Sequence, residues 1–222
     1  LLTGRYAWRT RLKKGVLWGY SPPLIEPGRL TLASLLREHG YATACVGKWP
    51  LGLGWATREP VSFGDEAKPA ADPALIDFTR PVSAGPHTFG FDRSFVLSGS
   101  LDMDPYGFVE DGRPVGPVTT RIAAGRHERQ GGEGLWREGP IATGFTHEGC
   151  QPTLLAQAED FLRRQTAARP FFLYMPLPSP HDPWMPAAEF RGKRRAGGRG
   201  AFVPQVSDEI QRFGTAIGVS CV

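Results

Sequence analysis

Residues 40–54 read Gly40-Tyr41-Ala42-Thr43-Ala44-Cys45-Val46-Gly47-Lys48-Trp49-Pro50-Leu51-Gly52-Leu53-Gly54, and their reading decides the fold. Upstream, Thr31 can cap a helix whose Leu32, Leu35 and Leu36 form an i, i+3, i+4 stripe. Gly40 suits the C′ position, so the pattern predicts a helix over 31–39. Tyr41 to Val46 are apolar, β-branched or small, as a strand buried between helices requires. The strand is expected to stop at Gly47, with Lys48 projecting from the loop beyond it.

The same local order recurs late in the chain. Pro152 to about Ala168 predicts a helix, with Pro152 at N1 and an apolar stripe of Leu154, Leu155, Ala158, Phe161 and Leu162. Pro170 blocks continuation. Phe171-Phe172-Leu173-Tyr174-Met175 then reads as a central strand, and Pro176, Pro178, Pro180 and Pro183 stiffen the loop that holds His181. Each helix–strand unit leaves one polar side chain just past its strand. Open α/β sheets bind ligands outside the carboxyl ends of parallel strands. If the strands are parallel, Lys48 and His181 face one crevice, where they suit an anion such as sulfate or phosphate. Taken alone, Lys48 is better read as an exposed lysine after a strand; the repeated placement turns the balance toward an anion ligand.

The composition is that of a globular protein with one substantial core: 222 residues, 41% hydrophobic and 22% charged. The net charge of +4 suits an anionic substrate and is too weak to argue for nucleic acid. Cys45, Cys150 and Cys221 form neither a CxxC pair nor a disulfide framework, and Cys45 reads as a small buried hydrophobe. No apolar run approaches the ~20 residues of a membrane span.

Between the two units the chain is rich in Gly and Pro, with 28 and 21 in all. Residues 55–86 and 111–149 read as long loops, and Ser94-Phe95-Val96-Leu97 as a short strand leading into Ser98-Gly99-Ser100-Leu101-Asp102. His127 and His147 lie without metal-ligand spacing and are expected to be solvated loop histidines. Arg5, Arg9, Arg11, Lys13 and Lys14 form a basic patch, expected to be a solvated face. Residues 191–199 read as a basic surface loop and 202–213 as the opening of another helix. Both ends read as cut. The chain opens without Met and closes on Gly218-Val219-Ser220-Cys221-Val222 with no polar tail, so a single partial domain over 1–222 is expected.

Gly40-Tyr41-Ala42-Thr43 followed by Gly47-Lys48-Trp49-Pro50-Leu51-Gly52 resembles the second signature of the sulfatase family, Gly-Tyr-x-Thr and then Gly-Lys-Trp-His-Leu-Gly. Leu1-Leu2-Thr3-Gly4-Arg5-Tyr6 is similar to the residues just after that family's Cys-x-Pro-Ser-Arg nucleophile motif. His87-Thr88-Phe89-Gly90-Phe91-Asp92 and Ser100-Leu101-Asp102-Met103 resemble the middle of arylsulfatases. Pro170 to Tyr174 with Pro180-His181-Asp182-Pro183-Trp184 resembles the segment carrying a substrate-binding histidine, and Phe202-Val203 with Gln205-Val206 the start of the next helix.

The resemblance implies an alkaline-phosphatase-like α/β fold, with a mostly parallel sheet flanked by helices and incomplete here. It implies a sulfuric ester hydrolase acting on small-molecule or glycan sulfate esters. A formylglycine nucleophile, made by a formylglycine-generating enzyme, and a calcium ion carry the chemistry, and both are expected outside this chain. Lys48 and Ser100 would bind the sulfate. His181 would bind it too and protonate the leaving group. Members of the family are often secreted, periplasmic or lysosomal. Pro50 departs from the pattern, because it stands where the signature has histidine and offers no side-chain donor or acceptor. Two further readings stay open: a catalytically inactive, anion-binding homologue, and a phosphohydrolase of the same superfamily.

Overall fold

A computed structural model describes residues 1–61, 72–129, 132–186 and 188. The basic stretch 191–199, the helix expected over 202–213 with its family-like Phe202-Val203, Cys221, and the side chain of His127 lie outside the described residues.

The first helix, α1 (Leu32–Glu38), is capped as the sequence predicts. Thr31 accepts from Ser34 N, Ser34 reciprocates, and Gly40 follows with φ of 86°. Its burial differs from expectation. Thr31 Oγ1 donates to the Phe89 carbonyl at 2.6 Å, which docks the start of the helix and turns Ala33 inward. Ala33 is fully buried, whereas Leu35 stays 40% exposed.

The strand that follows, β1 (Ala42–Lys48), starts one residue later and runs two residues further than predicted, so Lys48 is its last residue rather than part of the loop. It is the inner strand of a parallel trio. On one side β1 pairs with β2 (Arg93–Leu97), register Lys48 opposite Leu97; on the other it pairs with β9 (Phe171–Tyr174), register Cys45 opposite Tyr174. Beyond β2, β3 (Phe108–Glu110) and β4 (Arg113–Pro114) extend the sheet antiparallel, giving the order β4-β3-β2-β1-β9. β9 is therefore half-buried at the end of the sheet among the described residues, not central as its apolar run predicts.

Alternate residues of β1 feed two cores. Cys45 packs with Ala33, Trp49, Phe91 and Val96 on the α1 side. Ala44 and Val46 face the second helix, α2 (His147–Arg163), which contributes Cys150, Leu154, Ala158, Phe161 and Leu162. Each fully buried Val or Leu here contributes roughly 1.5–3 kcal/mol. α2 begins five residues before the expected start, capped by Thr146, so Pro152 lies inside it rather than at N1. The packing of His147 and Cys150 holds the early turn where the proline would otherwise argue for a break.

Residues 111–149, read above as a long loop, also carry two small antiparallel pairs. β5 (Thr120–Ile122) pairs with β8 (Gly139–Ile141), and β6 (Gly125–Arg129) with β7 (Gly132–Trp136). The basic patch is tied down locally. Arg5 pairs with Glu26 at 2.7 Å, and Arg11 and Lys13 donate to backbone carbonyls. Among the described residues no helix is long and apolar enough to cross a membrane.

Candidate functional site

The carboxyl ends of β1, β2 and β9 lie side by side, and each leads into a segment that carries one of the predicted residues. The Gly-Lys-Trp triplet at the end of β1 divides its work. Gly47 has φ of 138°, and a Cβ there would stand 2.3 Å from the Pro176 carbonyl oxygen. Only glycine lets β1 approach the loop after β9 so closely. Trp49 is fully buried, donates its indole N–H to Gly52 O at 3.1 Å, and packs against Phe89 and Phe91. Thr43, from the Gly-Tyr-Ala-Thr part of the stretch, is structural as well: its hydroxyl donates to Gly90 O and accepts from Asp92 N. Lys48, between two residues fixed by packing, is left with its ammonium to use.

Lys48 is half-buried. Burial lowers its pKa, and the Asp102 carboxylate pulls in the opposite direction. Asp102 lies in the turn after β2, where Ser100 and Met103 bridge. Ser100 is fully buried, and its Oγ lies 3.5 Å from His181 Nδ1. His181 itself is exposed, with Nδ1 2.7 Å from the Asp182 carbonyl and 3.9 Å from Asp102 Oδ1. The structure thus gathers Lys48, Ser100 and His181 around one carboxylate.

A backbone carbonyl only accepts. The 2.7 Å contact to Asp182 O therefore places a proton on Nδ1 of His181 and leaves Nε2 as the atom that exchanges one.

Three residues to which the sequence reading gave no role in the site complete this arrangement. Asp102 is one. Arg137, between β7 and β8, donates to Asp102 Oδ2 and to the Asp102 carbonyl, both at 2.9 Å, and lies over the Trp18 ring. His147 is the third, and it is not the solvated loop histidine expected. It is buried at the start of α2, with Nε2 3.1 Å from the Leu101 carbonyl and its ring against Tyr106, Trp136 and Phe145. Thr146, a cap residue just before a buried-helix pattern, was the available signal that His147 sits on a helix rather than in a loop.

Cys45 and Cys150 are buried free thiols whose pKa burial raises, Cys150 to about 12, so neither is an activated nucleophile. Among the described residues no group of three or more His, Cys, Asp or Glu could hold a metal ion. The ligand set that calcium needs, six to eight oxygens, is not offered by them.

The family model described as Sulfatase matches residues 1–211. The chain belongs to the sulfatase family. Relatives of this sulfatase chain include the N-acetylgalactosamine-6-O-sulfatase of Bacteroides thetaiotaomicron, 29% identical over 93% of this chain and 42% of that protein. Arylsulfatase A of Bos taurus is 27% identical over 98% of this chain and 36% of that protein. A solved structure from work on glycosaminoglycan metabolism by Bacteroides thetaiotaomicron is 26% identical with a TM-score of 0.74, covering 96% of this chain and 47% of that one. A Pseudoalteromonas sulfatase shares the fold at 18% identity, TM-score 0.58. The sulfatase chain spans less than half the length of these relatives. Its parallel core flanked by helices fits the alkaline-phosphatase-like fold in part.

Proposed function

We propose that the protein hydrolyses sulfate esters, with Lys48, Ser100 and His181 holding the sulfate group and His181 also serving the leaving oxygen. The observation that carries this is their gathering around Asp102 at the ends of three parallel strands in a sulfatase-family chain. A sulfate ester is anionic, so attack on it requires cationic and hydrogen-bonding groups that take up charge as it moves to the leaving oxygen.

Each residue has a part that its surroundings favour. Burial makes the Lys48 ammonium costly, and a bound sulfate is an anion that offsets that cost. Ser100 offers a hydroxyl from a buried, fixed turn. His181, protonated on Nδ1, presents Nε2 outward. As imidazolium its Nε2–H donates to the ester oxygen, and after the S–O bond breaks that proton stays on the alcohol. We assign formylglycine and calcium to residues other than those described. The one would supply the nucleophile, the other charge neutralisation at sulfur's oxygens.

The test is release of sulfate from p-nitrophenyl sulfate, with formylglycine and bound calcium confirmed. N-acetylgalactosamine 6-sulfate belongs in the panel because relatives carry that name. Turnover that falls at least a hundredfold in Lys48→Ala and His181→Ala supports the reading. No turnover on any ester by a protein with both groups in place defeats it. Pro50 favours a second reading, an inactive homologue that binds anions. That protein would bind sulfate through Lys48 and release none. Hydrolysis of p-nitrophenyl phosphate in preference to the sulfate would move the assignment to a phosphohydrolase.

A further inference from the structure

We infer that Asp102, clamped by Arg137, is the positioning residue of this site: together with the Asp182 carbonyl it holds the resting proton of His181 on Nδ1. Asp102 uses its two carboxylate oxygens differently. Oδ2 accepts from Arg137 at 2.9 Å. Oδ1 is buried, makes no hydrogen bond, and lies 3.9 Å from His181 Nδ1. A buried carboxylate oxygen without a donor is costly, and such an atom in a folded protein calls for an explanation. Here the N–H that can approach it is the one that His181 already shares with the Asp182 carbonyl.

The holding parts are structural and distant in sequence. Arg137 grips both the Asp102 side chain and its carbonyl, and its guanidinium rests on Trp18 at 4.9 Å. One residue before, the Leu101 carbonyl meets buried His147. The turn is thus fixed on both sides of its Cα, so Oδ1 is placed by the scaffold and not by His181. The otherwise loop-like segment between β4 and α2 acquires a purpose in this arrangement, since it delivers both Arg137 and His147 to the turn.

Asp102, from the turn after β2, sets a carboxylate oxygen 3.9 Å from His181 Nδ1. A negative charge on that side favours the Nδ1–H tautomer, which leaves Nε2 for the substrate, the same division of labour seen wherever a carboxylate orients a functional imidazole.

The inference rests on the sulfatase reading only for its kinetic consequence, and the experiment separates the two. In the full-length protein with 15N-labelled histidine, the imidazole nitrogens of His181, assigned by comparison with His181→Gln, are followed through a pH titration. Above its titration, wild-type His181 is expected as the Nδ1–H tautomer. In Asp102→Asn the Nε2–H tautomer gains a measurable share of the neutral ring, and kcat for sulfate release falls roughly tenfold with KM changing less. An Nε2–H tautomer in the wild type overturns the inference without any variant. So does an unchanged tautomer balance in Asp102→Asn or, should that fail to fold, in Asp102→Ser with a wild-type circular dichroism spectrum. If His181 responds as expected and no ester is cleaved, the positioning role stands and the sulfatase reading falls.

Discussion

The backbone N–H of Lys48 donates to the Pro176 carbonyl at 2.5 Å, so the end of β1 is tied directly to the loop that carries His181. The tie depends on Gly47. A side chain there meets the Pro176 oxygen at 2.3 Å, at a φ that L residues rarely adopt. Gly47→Ala is therefore expected to destabilise the protein by roughly 2–3 kcal/mol, from backbone strain and the displaced loop. A urea midpoint equal to that of the wild type would show that the loop is held by other means. Sulfate affinity should fall with stability in this variant, since Lys48 and His181 separate together.

Lys48 makes a prediction about pH whose sign follows from its burial. In the unfolded chain the lysine keeps its proton up to its ordinary pKa. In the folded chain burial releases it at lower pH, although Asp102 offsets part of the effect. Between those two values the unfolded chain binds more protons, so this group's contribution to stability increases as pH rises. Anion binding runs the other way, because it needs the ammonium. Calorimetry with inorganic sulfate is expected to give affinity that weakens about tenfold per pH unit above the folded-state pKa of Lys48. Lys48→Met should remove that slope and weaken binding at neutral pH by roughly tenfold to a hundredfold, the range for one charged hydrogen bond.

Much of this site was legible in local sequence, and the boundary of legibility has a physical cause. Thr31, Gly40 and the apolar run after them marked a helix and a strand because caps and periodicity are written in neighbouring residues. Two such units placed Lys48 and His181 at the same edge once the strands proved parallel. Asp102 and Arg137 left no such trace, and for His147 the cap at Thr146 marked a helix but not its contact with the turn. Arg137 reaches Asp102 across 35 residues, and His147 reaches Leu101 across 46. Contacts at that separation have no period to read. The strands that deliver Arg137 are short and lie in a stretch of Gly, Pro and Arg, which masks their alternation. Pro152 misled for a related reason: tertiary packing of His147 and Cys150 outweighs the local preference for a proline at N1.

His147 supports the turn that holds Ser100 and Asp102, and its role can be separated from its bulk. His147→Phe keeps an aromatic ring against Tyr106 and Phe145 but removes the donor to the Leu101 carbonyl. The expected loss of stability is about 1–3 kcal/mol, the usual result of leaving a buried acceptor without its donor. A drop in kcat should accompany it, because the turn carries two residues of the site. Thermal unfolding and initial rates on the same preparation check both. Unchanged kcat with reduced Tm would confine His147 to the fold and detach it from the site.

Pro50 bears most directly on whether the protein turns over its substrate or only binds it. It is exposed, two residues beyond Lys48, where the Gly-Lys-Trp-His-Leu-Gly pattern has histidine. The flanking residues need no change to accept one: Trp49 is anchored by its own indole bond to Gly52, and Leu51 O already accepts from Leu24 N. Proline at this position donates nothing, and a histidine would add one donor or acceptor two residues beyond Lys48. Pro50→His is therefore expected to raise kcat/KM for p-nitrophenyl sulfate by roughly tenfold to a hundredfold, the worth of one hydrogen bond to a charged group. Sulfate affinity should stay within about twofold, since Lys48, Ser100 and His181 are untouched. Equal rates for the wild type and Pro50→His, in a protein that cleaves the ester, would mean that another group already does this work and that the proline is neutral. Turnover appearing only in Pro50→His would mean that one substitution separates an anion-binding sulfatase homologue from an enzyme.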